Sequence, residues 1–150
     1  MAKAQYGFLA RRHLAPRTLG VNEYDYDAPL RAIRRLIGAS DGFLAVAFKK
    51  TLVEKGSTSR RRGHQKPIEE LLSNIALASP WVQIEAAMAY QREIPIMILR
   101  EKGVVADGLL EAGVVSQYMP EFDLSSSATA YLKTDEFKGV MSAWENQVRH

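Results

Sequence analysis

Cysteine is absent from these 150 residues, which removes thiol nucleophiles, disulfides and cysteine-rich zinc sites and points to a reducing, cytoplasmic address. No apolar run approaches the ~20 residues that span a bilayer. Met1-Ala2-Lys3-Ala4-Gln5 does not lead into a signal-peptide core, so the sequence reads as a soluble intracellular protein with no membrane partner. Walker loops, dinucleotide-binding glycine fingerprints and serine nucleophile elbows are missing too. His13, His64 and His150 are scattered, and Asn22-Glu23-Tyr24-Asp25-Tyr26-Asp27 lacks the spacing and glycine of a calcium loop. No metal or bound cofactor is assigned.

Net charge is also small, +3 in all, but it is unevenly spread. Arg11, Arg12 and Arg17 stand near the start, and Lys49, Lys50, Lys55, Arg60, Arg61, Arg62 and Lys66 share one stretch. Gly56-Ser57-Thr58-Ser59 and Gly63 give that stretch no apolar periodicity, so residues 49–67 read as a solvated, mobile basic loop. Aromatic residues are not interleaved with it and no helix carries a DNA-reading motif, so nucleic acid is not inferred as a partner.

What is present suits a single α/β domain over residues 1–150. Tyr6-Gly7-Phe8-Leu9-Ala10 reads as a first strand. Asp27 and Pro29 open a helix with Leu30, Ile33, Arg34 and Ile37 at helical spacing, closed by Gly38. Gly42 to Phe48 and Ile94 to Leu99 are continuously apolar, as strands covered on both faces are. Pro67 to Leu72 has the pattern of a short helix, Ser79-Pro80 opens another, and Val114 to Phe122 offers a weaker last strand. Thr134 caps a closing helix with Phe137, Val140, Met141 and Trp144 as its core stripe. Strands alternating with helices predict a doubly wound domain with the strands at Phe8, Val46 and Met97 adjacent and parallel. Ligands in such domains sit at the carboxyl ends of the strands, which favours Ala10 to Gly20, Lys49, Lys50, Arg100 and Glu101; Asp41 falls at the opposite end.

Glu85 stands out. At about 100° per residue it falls on the helix side shared by Trp81, Val82, Ile84, Met88 and Ala89. A carboxylate there is partly buried, and it has a cationic partner, a raised pKa or a cavity that a ligand fills. Arg92, two turns on, is a candidate partner. Trp81, one turn earlier, can stack on a ring, and Arg17 can meet an anionic group.

Ile37-Gly38-Ala39-Ser40-Asp41 leading into Phe43-Leu44-Ala45-Val46, then Glu85-Ala86-Ala87-Met88-Ala89-Tyr90, then Ile94-Pro95-Ile96-Met97-Ile98 resembles the nucleoside 2-deoxyribosyltransferase family. Ser79 followed by Trp81-Val82-Gln83-Ile84-Glu85 is similar to the Ser…Trp-x-x-x-Glu segment of TIR domains. The resemblance covers roughly residues 30 to 124 and implies a flavodoxin-like three-layer sandwich with a mostly parallel sheet of about five strands. It also implies cleavage of the N-glycosidic bond of a nucleotide, nucleoside or NAD, as an N-glycosidase, N-deoxyribosyltransferase or NAD hydrolase. Glu85 would be the catalytic residue, with Trp81, Arg17, Phe8 and Arg100 as candidate substrate contacts and no cofactor. A non-catalytic TIR-like module that senses a nucleotide or assembles as a homo-oligomer is the alternative. Ala87 stands where the family has glycine, and the basic stretch replaces its short glycine-containing loop.

Overall fold

Phe43–Ala47 (β1) and Ile96–Glu101 (β4) are the two apolar runs, and they lie side by side in parallel, with Phe43 opposite Ile96 and Val46 opposite Leu99. Met97, Ile98 and Leu99 are all at most 3% exposed; burying each contributes about 2 kcal/mol, which makes β4 the anchor of the sheet. A two-residue strand, Glu121–Phe122 (β5), adds in parallel to the far edge of β4, giving the order β1-β4-β5. The computed structural model describes residues 2–60, 66–116, 118–125 and 127–150.

Helices cover the sheet. Pro80–Gln91 (α3) sets Val82 and Ala86 against Phe43, Ala45 and Ile98. On the opposite face, Leu44, Val46, Met97 and Leu99 pack with Phe8 and Leu9 of Ala2–Arg11 (α1) and with Phe137, Met141 and Trp144 of Asp135–Val148 (α5). Pro29–Gly38 (α2) lies against α3, where Ile33 and Ile37 meet Met88 and Ala89. Ala128–Tyr131 (α4) is a single turn before α5. Thr134 caps α5 as its sequence predicts, accepting from Phe137 N at 3.2 Å.

Four expectations are corrected. Residues Tyr6 to Ala10, with Phe8, are helical rather than a strand: the helix they belong to, Ala2–Arg11, has no β-branched residue and is rich in helix formers such as Ala2, Lys3, Ala4, Gln5, Leu9 and Ala10. The segment taken as a basic loop builds an antiparallel ribbon of Thr51–Arg60 (β2) and Ile68–Leu77 (β3), paired from Thr51↔Leu77 to Arg60↔Ile68; residues 61–65 of that expected loop lie outside the described residues. Ile68 to Leu72 is therefore strand and not helix, cross-strand pairing overriding the helical spacing of Ile68, Leu71 and Leu72. The last strand shrinks to Glu121–Phe122. The sheet accordingly has three parallel strands beside a separate antiparallel pair, fewer than the five expected in one sheet.

The start of α2 differs in detail. Ala28 takes the N-cap position, and Asp27 accepts from Ala28 N at 2.7 Å and from Arg35 at 2.8 Å. Asp25 also pairs with Arg35, so hydrogen bonds from Arg35 hold both carboxyls below their ordinary range. That ion-paired knot accounts for the acidic run.

Candidate functional site

Pro80 fits the first turn of α3 because that turn leaves its N–H groups unbonded in any case. From there Ala86 and Ala89, both without accessible surface, bring the helix axis close to β1 and to α2. Glu85 adjoins them. One turn later Met88 packs on Ile33 and Ile37, and Arg92 donates to Gly38 O at 3.4 Å, so this stripe of α3 is turned toward α2.

Glu85 consequently lines a cavity of about 200 Å³ with Ile33, Leu36 and Ile37 of α2, Gly42 to Leu44 at the start of β1, and Arg17 to Leu19. Its carboxylate makes no hydrogen bond or ion pair among the described residues. Arg92, the expected structural partner, is spent on Gly38. Desolvation alone pushes the Glu85 carboxyl above the ordinary range.

The facing loop is braced. Asn22 accepts from Thr18 N at 2.7 Å and donates to Pro16 O at 2.6 Å, while Gly20, at φ 76°, turns the chain. Arg17 donates to Glu23 at 2.7 Å and to Ala39 O at 3.1 Å, tying the loop to the end of α2. The hydrogen bond to Glu23 raises the Arg17 pKa and lowers that of Glu23. Arg17, Thr18, Ser40, Gly42 and Leu44 also line an adjoining cavity of about 510 Å³, whose walls include Tyr6, His13, Asp41 and Arg149.

Of the candidate side chains, then, Glu85 and Arg17 share a cavity and the others do not. Trp81 is 41% exposed one turn before Glu85 and does not line that cavity. Phe8 is on the opposite face of the sheet, edge-on to Phe137 at 5.2 Å between ring centres and under the Arg12 guanidinium at 5.0 Å. Arg100 sits at the far end of β4, paired with Glu121. The carboxyl ends of the strands, where a ligand was expected, carry this pair and a second, in which buried Glu101 accepts from Lys49 N at 2.8 Å. The cavity instead opens at the amino end of β1. Ser40 and Gly42 belong to it, and Asp41 lines the adjoining one; in the sequence this stretch figured only in the run Ile37 to Asp41 that leads into the strand, and no site role was assigned to it.

Set against family models, curated proteins and solved structures, the chain matches none. Among the described residues no three His, Asp or Glu side chains are grouped to hold a metal ion, and no helix is long and apolar enough to cross a membrane.

Proposed function

We propose that this chain, as a flavodoxin-like three-layer sandwich, cleaves the N-glycosidic bond of a nucleotide, a nucleoside or NAD, with Glu85 as the catalytic carboxylate. The observation that carries the reading is the half-buried carboxylate of Glu85, which lines a cavity and has no partner among the described residues. Such cleavage breaks the bond from the sugar carbon to the base nitrogen. The base leaves with the electron pair, and the sugar carbon becomes cationic until water or a second base captures it; nicotinamide leaves NAD as a neutral molecule, whereas a base leaving a neutral nucleoside takes up one proton, balanced by the proton that the capturing water or base gives up. A desolvated carboxylate is costly in the resting protein, and the developing cation relieves that cost, so its field acts where the charge appears. The 200 Å³ cavity is small for a nucleoside; with the adjoining 510 Å³ it falls within the usual size of a ligand site, and Arg17 stands between the two lobes.

The test is release of free base or nicotinamide from NAD, nucleosides and nucleoside monophosphates by the purified protein. Glu85→Gln keeps the side-chain shape and loses the charge, so release should fall by about two orders of magnitude or more while the fold persists. Undiminished release by a folded Glu85→Gln protein would remove Glu85 from the chemistry. Trp81 and Ile84, both about two-fifths exposed on α3, favour the second reading, a non-catalytic module that assembles through helix faces; absence of release by the native protein, with concentration-dependent assembly lost in Trp81→Ser, would decide for it.

A further inference from the structure

A cavity of about 800 Å³ runs along the outer edge of β4. Phe43 N donates to Pro95 O at 2.8 Å on one side of this strand, and Arg100 N donates to Pro120 O at 3.0 Å on the other. Strand alternation then turns the N–H and C=O of Ile96 and Ile98 away from β1 and toward this groove. β5 pairs only with Arg100 and Glu101. The next rung back would run from the N–H of residue 120 to Ile98 O, and residue 120 is a proline, which has no N–H. Nor does Ile98 N find an acceptor beyond the edge among the described residues. Pro120 thus removes the donor that Ile98 O would take, and the groove-facing backbone groups of Ile96 and Ile98 are left without a protein partner among the described residues, a set of donors and acceptors that a further strand would satisfy.

We propose that the groove receives an extended, basic segment of a partner protein, which adds as a strand to Ile96 and Ile98. Shape favours a single strand over the sheet edge of a second copy, because Val115, Ser116 and Tyr118 wall one side and α5, with Val140, Ala143 and Trp144, the other. Those apolar walls accept alternate side chains of the segment. Charge selects a basic one: among the described residues no lysine or arginine lines the groove, whereas Glu93 does, and Glu136 stands beside its wall residue Tyr118, accepting from that hydroxyl.

The test titrates Trp144 fluorescence, in a Trp81→Phe background, with a positional-scanning library of capped hexapeptides built on alternating lysine and valine. Saturable binding is expected. Alternate backbone N-methylation, which removes the donors along one edge, and replacement of every lysine by glutamate should each weaken it about tenfold or more. Pro120→Ala restores the donor to Ile98 O, closes the rung and should weaken binding by a similar factor, with circular dichroism confirming the fold. No saturable binding anywhere in the library overturns the proposal. Equal binding of the N-methylated peptides overturns it in favour of a small apolar ligand, and self-association that the peptides reverse overturns it in favour of a second copy.

Discussion

Glu85 and Glu145 are carboxylates with opposite surroundings, and their titrations act on stability with opposite sign. Burial without a partner raises the Glu85 pKa, so the folded state holds this proton more tightly than the unfolded chain does. Its penalty is absent below the unfolded value, grows as pH rises toward the folded value and is complete above it. Glu85→Gln should therefore be more stable than the native protein at neutral pH, with the advantage vanishing in acid. Urea denaturation at pH 4 and pH 7 measures this; a Gln variant less stable at neutral pH would mean that the carboxylate has a partner. Glu145 accepts from Arg12 at 2.6 Å and from Arg149 at 2.8 Å, and these hydrogen bonds lower its pKa. Its contribution is present above the unfolded value and lost as pH falls through the folded one. Glu145→Gln should weaken the protein at neutral pH, and the deficit should close on acidification.

Among the elements, the turn between α2 and β1 sets the shape of the cavity, and Gly42 is its tightest point. A Cβ there would stand 2.5 Å from Val148 Cγ2 and 2.9 Å from Trp144 Cζ2, closer than van der Waals contact allows. Trp144 has little freedom to retreat, because it is 8% exposed and its indole N–H donates to Pro95 O at 3.1 Å. Gly42→Ala should cost about 1–3 kcal/mol, read as a lower denaturation midpoint with unchanged slope. The elements legible in the sequence were those whose own composition decides them. Phe43 to Ala47 and Ile96 to Leu99 are apolar throughout because both faces are covered, and Pro29, Pro80 and Thr134 mark helix starts by backbone chemistry. The ribbon was illegible for the converse reason: Leu52, Ile68 and Leu71 are 65%, 62% and 88% exposed, so no one-sided burial imposes a period of two. Glu85 could be picked out as a carboxylate on an apolar helix; Arg17 was chosen because it followed a supposed first strand that is a helix, and the bonds that brace its loop beside Glu85 are tertiary. Phe8 and Arg100 could not be placed, since their assignment rested on a strand that is a helix and on a sheet end occupied by ion pairs.

At the scale of the whole molecule, β1 and α3 are consecutive layers of one body, and the ribbon is inserted between them. Lys50 N donates to Leu77 O at 2.9 Å, and Thr51 pairs with Leu77, so the insertion leaves and rejoins the body one strand spacing apart, about 5 Å. Loop-closure entropy grows only logarithmically, by about 0.6 kcal/mol for each doubling of length. An insertion whose ends already meet therefore adds almost nothing to the entropy cost of folding the body, and its length is free to vary. Replacing residues 56–72 by Asn-Gly, which joins Lys55 to its partner Ser73 through a two-residue hairpin turn, should leave the thermal midpoint within a few degrees of the native value, roughly what a change under 1 kcal/mol produces in a chain of this size. A fall of about 10 °C or more would mean that the distal ribbon is part of the folding unit.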